Sequence, residues 1–396
     1  MQQRSFLVGV GVGFSAGYVL YRTCGAFAEL RAPSTRRAGD AAGYGRARRA
    51  FAVAGIARSV AGMAAFSYGA GSRRVARATQ TPWPWLDAGT FAVAAFGVAT
   101  LAELPIDYVE GYALERQHGL SEQSPRAWLA ERAKESVLSL AISGLLAGLF
   151  STIVRRFRAS WPFAAGAGVL PLAVLANLIV PLYILPLFNR FEPLTGPLEI
   201  RLRSIAERYG VGDAAVLRVD MSRQTKKANA FVTGLGHTHR IVLGDTLLEH
   251  FTDDEIAFVV AHELGHYVSK DTWRMIAAST AFTTIVLFAA SLLTGKETRD
   301  RPNDPVTVSR ILFWFTLLSQ FGRPALAAFS RSREWAADRF AESATCAPLD
   351  GVAAFRRLRD QNLAEDEQPA WYEFLFSTHP SLGARIAALE GGGTRT

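Results

Sequence analysis

The sequence predicts a mainly α integral-membrane protein of about seven transmembrane helices, with a polar insertion that carries a small β-hairpin. Three observations lead there. Of 396 residues, 49% are hydrophobic and only 20% charged. The two kinds are segregated into apolar blocks and polar stretches, as membrane spans joined by loops require. Apolar runs of about 20 residues, the length that crosses a bilayer, recur at 5–22, 51–70, 86–106, 135–154, 162–187, 273–294 and 306–329. These runs divide the chain into an N-terminal membrane region 1–187 with five spans, a polar segment 188–272, two spans within 273–329 and a C-terminal helical segment 330–396.

The first two runs are diluted by Gly, Ser and Arg, and the first has a rival reading. Arg4, the apolar run and AFA at 26–28 share the layout of a cleaved signal peptide. The charge pattern favours a retained span. With seven spans, 23–50 lies on the same side as 188–272 and the C-terminus, and it carries Arg31, Arg36, Arg37, Arg46, Arg48 and Arg49. The loops 71–85, 155–161 and 295–305 fall on the other side with three basic residues each. The positive-inside rule then places the polar segments in the cytoplasm. A net charge of +8 would also suit nucleic acid, but the arginines flank apolar runs, so the partner they imply is the bilayer and nucleic acid is excluded. Cys24 and Cys346 form no metal or redox motif.

Pro171, Pro181 and Pro186 in the fifth run predict a kinked or protein-buried helix. Within 188–272, EIRLRSIAERYG is an amphipathic helix ended by Gly210, followed by the strand-like VLRVDMS. The stretch ANAFVTGLGHTHRIVLGD reads as a hairpin turning at Gly234–Gly236. No internal repeat is visible.

Residues 252–271, TDDEIAFVVAHELGHYVSKD, are the most informative. Thr252 and Glu255 form a capping-box pair, and Asp253 and Asp254 suit the positive end of a helix. Ile256, Val259, Val260 and Leu264 keep helical spacing. His262 and His266 therefore sit one turn apart on one face, where both imidazoles reach a single tetrahedral ion. Glu263 lies beside that face, placed to act as base on a water at the ion without being a ligand. This is the HExxH pattern of metalloproteases, and chance rarely produces it in a chain of this length. Catalytic zinc takes three protein ligands and keeps one position open. The extended pattern HExxHxxGxxH does not supply the third, because Ser269 and Thr272 stand at its glycine and histidine positions. SRSREWAADRFA at 330–341 offers Glu334 and Asp338 at i and i+4 on one helical face. Such pairs are commonly solvated. However, this segment follows the seventh span directly, just as HExxH leads directly into the sixth, so both helices emerge at one membrane surface.

Further blocks extend the pattern: LPIDYVEGYALERQHGLS at 104–121, PLFNRFEPL at 186–194, ANAFVTGLGHTHRIVLGDTLL at 228–248, REWAAD at 333–338 and STHPSLGARI at 377–386. Together with HExxH they resemble the type I CAAX prenyl endopeptidases, seven-span zinc proteases, over about residues 100–390. The resemblance implies one zinc ion per chain held by His262, His266 and Glu334, with Glu263 as the base. It implies that Asp338 orients a ligating histidine and that His379 stands near the developing oxyanion. Arg385 and Asn229 would bind the substrate, Arg385 holding its backbone and Asn229 opening the strand along which a peptide lies. It also implies spans arranged around a chamber, with a zincin-like metalloprotease site at its cytoplasmic end. The expected substrates are membrane-associated, prenylated or unfolded polypeptides. Ala- and Arg-rich usage points to a bacterial inner membrane as the location. Two alternatives stay open: an HtpX-type quality-control protease, which usually has fewer spans, and a non-proteolytic binding or transport protein with a structural zinc. His118, His237, His239 and His250 are read as loop or surface residues.

Overall fold

The computed structural model describes residues 40–234 and 238–391. The expected first span 5–22, its signal-peptide alternative and the tip of the hairpin lie outside them. The chain is mainly helical. The N-terminal half contains α1 (Ala41–Tyr68), α2 (Ala70–Ala78), α3 (Pro84–Tyr108), α4 (Leu114–Gln117), α5 (Pro125–Phe157) and α6 (Trp161–Ile179). A π-helical turn, Val109–Ala113, joins α3 to α4 just after Pro105, which cannot donate a backbone hydrogen bond. The proline-rich fifth run breaks as expected, with α6 passing into a π turn at Val180–Ile184 and a 3-10 turn at Leu185–Leu187.

Among the described residues, five helical stretches are long and apolar enough to span a membrane: Ala41–Tyr68, Pro84–Gln117, Pro125–Phe157, Trp161–Leu187 and Asp271–Asp300. The run 306–329 is not among them. It forms the first part of a 41-residue helix, α11 (Pro305–Thr345), whose apolar character is diluted by Arg310, Gln320 and Arg323. The second span also begins ten residues before the expected start, because Arg46, Arg48 and Arg49 are helical. Partners carry that charge: Arg48 pairs with Glu110 at 3.3 Å and Arg49 with Glu365.

These contacts fix which loops share an end of the bundle. Tyr44 donates to Glu115 at 2.5 Å and receives a bond from Lys227 at 2.7 Å, while Ser121 donates to the Gln224 carbonyl at 2.7 Å. The start of α1, the 104–121 block and the polar segment therefore meet at one end. At the other, Ser67 donates to the Ser309 carbonyl at 3.0 Å, and Val154, Trp161 and Ile311 pack together.

The polar segment holds α7 (Pro197–Arg208), α8 (Asp245–His250), α9 (Asp253–Val268) and four strands: β1 (Phe191–Pro193), β2 (Ala215–Val219), β3 (Ala230–Thr233) and β4 (Arg240–Gly244). The expected hairpin β3–β4 is present but belongs to a sheet of order β1-β2-β4-β3, in which β2 and β4 run parallel. Three-residue β1 is too short to carry a periodic signal. Leu202, Val216, Leu243, Ile256 and Leu264 join helices and sheet in one core. The remaining helices are α10 (Asp271–Asp300), α12 (Pro348–Gln361), α13 (Ala370–Phe376) and α14 (Leu382–Glu390). His118 and His239 lie in connecting segments, as expected, but are buried at 3% and 7% exposure. His250 is exposed as expected, and His237 lies outside the described residues.

Single cysteines introduced at the exposed positions Gln80 and Asn303, with the native cysteines replaced, should react with an impermeant thiol reagent from one face of sealed vesicles. A cysteine at Glu367 should react only from the other. Reaction of Gln80 and Glu367 from the same face would contradict this arrangement.

Candidate active site

Helix α9 starts as its sequence requires. Thr252 accepts from the Glu255 N–H at 3.3 Å and the Glu255 carboxylate accepts from the Thr252 N–H at 2.8 Å, a complete capping box. The helix ends at Ser269, and Lys270 takes a left-handed turn (φ 54°) before α10 begins at Asp271. In the middle, Gly265 lets α9 lie against α11. A Cβ built there would stand 3.1 Å from Ala337 Cα and 3.1 Å from the Phe340 ring.

That contact brings three expected ligands together. His262 Nε2 is 3.3 Å from Glu334 Oε2, and His266 Nε2 is 3.5 Å from Glu334 Oε1. One donor atom from each residue lies within 4.8 Å of the others. The opposite ring nitrogens are occupied by carboxylates: His262 Nδ1 meets Asp338 at 2.8 Å and His266 Nδ1 meets Asp271 at 3.0 Å. A neutral imidazole that donates through Nδ1 turns its Nε2 lone pair inward. Glu334 Oε2 is buried and takes no hydrogen bond. Three lone-pair donors thus converge on one point, a set that fits a divalent metal ion.

The electrostatics agree. Burial works against the charged form of His262, but the carboxylates of Asp338 and Glu334 beside it outweigh that and push the pKa up to about 9. His266 is raised by Glu334 in the same way, against its burial. Burial likewise opposes ionisation of Glu334 and Asp338. The two histidines beside it nevertheless hold Glu334 well below the usual carboxylate range, and Arg385 with His262 lowers Asp338 to about 2. Glu263 moves the other way: burial raises its pKa, partly offset by the two histidines and by a backbone bond from Val232 in β3. The would-be base therefore lies directly beside the sheet edge.

The other expected residues fall around this centre. His379 is more than half exposed, with Nε2 3.2 Å from Glu334 Oε1. Asn229 immediately precedes β3, and its carbonyl accepts from the Gly244 N–H at 2.9 Å. Arg385 is buried, stacks 4.1 Å over the Phe355 ring and grips Asp338 through two bonds of 2.8 and 2.5 Å. Its Nη2 also lies 3.3 Å from His262 Nδ1, and its Nη1 points onward, 3.7 Å from Glu334. Two residues of the site escape sequence reasoning. Asp271, 5% exposed, holds His266 across the break between two helices. Arg331, three residues before Glu334, donates to the Glu373 and Ser377 carbonyls at 2.8 and 2.7 Å, capping α13 and holding the loop that bears His379. Neither contact follows from local spacing; the one available signal is that Arg331 shares a helix with Glu334.

Fold and site together define a multi-pass membrane metallopeptidase. Residues 194–392 match the family described as peptidase family M48, and residues 35–190 match the CAAX prenyl protease N-terminal region, described as five membrane helices. The chain belongs to peptidase family M48. It is 28% identical over 318 residues to the uncharacterized metalloprotease YhfN of Bacillus subtilis, covering 78% of this chain and 74% of that protein. It is also 28% identical over 319 residues to CAAX prenyl protease 1 of Saccharomyces cerevisiae, covering 74% and 70%. The crystal structure of S. mikatae Ste24p has the same fold, with a TM-score of 0.77 at 24% identity over 97% of this chain and 96% of that one.

Two outcomes follow from the geometry. Gly265→Val should overpack the α9–α11 contact, costing about 1–3 kcal/mol. It should also release metal, read as a lower unfolding temperature and a lower metal content in detergent. The raised histidine pKa means that protons occupy the ligand set when metal is absent, so binding expels them. Metal affinity should therefore climb at least tenfold per pH unit below about pH 9 and flatten above it. Calorimetry in buffers of different ionisation enthalpy should count the proton of His262 at pH 7, with a further contribution from His266.

Proposed function

We propose that this chain is a zinc-dependent membrane endopeptidase that hydrolyses peptide bonds in membrane-associated polypeptides. The carrying observation is the convergence of His262, His266 and Glu334 one helical position away from Glu263, which itself contacts the backbone of an edge strand. The proposed catalytic unit combines 188–272 with 330–396, and the two polar pieces are carried by a bundle of seven spans around a chamber. Zinc, when bound, supplies a Lewis acid that polarises the scissile carbonyl and makes water reactive at neutral pH.

Each residue then has a defined task. Glu263 accepts a proton from the attacking water at a carboxylate oxygen and delivers it to the departing amine. Its raised pKa brings it nearer to neutrality, where accepting and releasing a proton are both feasible. Asp338 and Asp271 fix the tautomer and the aim of His262 and His266. Arg385 locks Asp338, and a substrate contact by this residue rests on Nη1. His379 donates to the oxyanion from its exposed ring. The peptide pairs with the outer edge of β3 at Ala230, Asn229 opening the strand with its own carbonyl bonded to Gly244, so main-chain bonds supply affinity with little sequence selectivity.

The names of the yeast, plant and animal relatives, CAAX prenyl protease 1 and its homologs, support prenylated polypeptides as one substrate class; unfolded membrane polypeptides are the other that an edge strand with little sequence selectivity accommodates. A cytoplasmic orientation is supported by the arginines at the end of the bundle that also bears the site. A bacterial inner membrane is supported by Ala- and Arg-rich usage.

The test compares zinc-loaded wild type with two variants on an unstructured and a prenylated reporter peptide. Glu263→Gln should retain zinc and lose about 10²–10⁴-fold in kcat. Glu334→Ala should lose most of its zinc. Failure of wild type to cleave either reporter, or unchanged turnover by Glu263→Gln, would refute the protease reading.

A further inference from the structure

Among the described residues, strand β3 has a neighbour on one side only. The backbone N–H and C=O of successive strand residues point to alternate edges. Asn229 turns towards β4, where its carbonyl meets Gly244, and the register continues through Phe231↔Val242 and Thr233↔Arg240. The residues facing outward are therefore Ala228, Ala230 and Val232. Both ends of this row are taken. Ala228 donates its N–H to Asn362 Oδ1 at 2.8 Å and its C=O accepts from Asn362 Nδ2 at 3.2 Å. One carboxamide thus makes the two-bond pairing that a residue of a neighbouring strand would make. At the other end β3 packs against α9, the helix that carries Glu263. Ala230 lies between them, its methyl in the core, and no described residue bonds its outward N–H or C=O.

Asn362 is held firmly. It caps α12 with its own N–H on the Leu358 carbonyl at 3.0 Å. The preceding Gln361 donates to the carbonyls of Lys226 at 2.8 Å and Thr246 at 3.2 Å. The pair 361–362 therefore grips the backbone leading into β3.

We propose that Asn362 is a register stop: it occupies the strand-pairing position of Ala228, so that an extended peptide finds its two-bond partner only at Ala230, next to Glu263. This rests on the proposed endopeptidase activity and adds the residue that selects which bond is presented. A slip of one residue would invert every substrate side chain, whereas a slip of two preserves the faces. A two-residue slip is therefore the error that side-chain pockets reject least. Ala228, two residues from Ala230, is where a freed edge would permit it.

The experiment uses the full-length, zinc-loaded protein and an unstructured peptide whose products are identified by mass spectrometry. Asn362→Ala and Asn362→Asp are compared with wild type, the aspartate keeping the acceptor for Ala228 N–H and losing the donor to its carbonyl. Products displaced by two residues should rise roughly tenfold, as loss of a specifying hydrogen-bond pair allows, and the aspartate should show the smaller rise. Zinc content and unfolding temperature should stay within reach of wild type in at least the aspartate variant. Identical cleavage positions in zinc-loaded variants would overturn the proposal, as would loss of zinc in both, which would make Asn362 a structural anchor. A wild type that cleaves nothing refutes the endopeptidase reading instead. In that case peptide binding still reads the edge: the Asn362 variants should gain affinity for peptides two residues longer, and no gain overturns the register stop.

Discussion

The close approach of α9 to α11 at Gly265 is the constraint on which the site depends. With 3.1 Å between a would-be Cβ and the Ala337 backbone, the helices touch along their axes rather than through side chains. Residues three before and one after the crossing then face each other across the gap: His262 and His266 around Gly265 on one helix, Glu334 and Asp338 around Ala337 on the other. A larger residue at the crossing would leave the same side chains present but too far apart to share an ion. The capping box at Thr252 and the bond from Arg357 to Glu255 at 3.0 Å fix the start of α9, so its rotation about that contact is set as well.

Burying so many ionisable groups side by side is costly unless each is compensated. The compensation runs in two chains. Arg385 neutralises Asp338, which holds His262. Arg274 and Arg333 lie 3.4 and 3.8 Å from Asp271, which holds His266. Both chains end on Glu334, whose Oε2 is left without a hydrogen bond. The network is therefore complete at its periphery and open at its centre. Such an arrangement stores its unmet demand where a cation binds, and in the cation's absence protons on the histidines meet that demand, which is why their pKa values rise.

The parts legible in the sequence are those whose signal is local. The histidines four residues apart, the capping box, Gly210 at a helix end and the paired acids of α11 all act within one or two helical turns. The four-residue strand β3 and its partner were legible through alternation across a glycine-bearing turn. Asp271, Arg331 and Asn362 were not. Asp271 works across a helix break, Arg331 reaches carbonyls 42 and 46 residues away, and Asn362 pairs with a residue 134 positions distant. Hydropathy also misjudged boundaries where charge is paired. Arg48 and Arg49 lie inside a helix because Glu110 and Glu365 receive them. The run 306–329 has no end of its own because the helix continues into the site. Buried His118 shows the converse limit: it lies against the Tyr44 ring at 5.2 Å, a contact between segments that no spacing announces.

The membrane region does more than anchor the site. Helix α11 runs without interruption from the bundle to Glu334, so the position of the third ligand is tied to that of the spans. The edge strand is tied to the same bundle by a different route. Lys227, at the entry to β3, reaches Tyr44 at 2.7 Å and Glu115 at 2.7 Å, and the Lys226 N–H donates to the Leu120 carbonyl at 2.8 Å. The proposed ligand Glu334 and the proposed peptide-binding edge are thus both referenced to the membrane bundle, from opposite sides. Hydrolysis depends on placing a carbonyl within tenths of an ångström of both base and metal. A shift of the helices that moved α11 and the 115–121 block relative to each other would move the ion relative to the strand. The bundle is in this sense part of the proposed catalytic geometry, alongside the direct packing of the two polar pieces on each other through Phe258, Ala261, Ala341, Phe355 and Ile386.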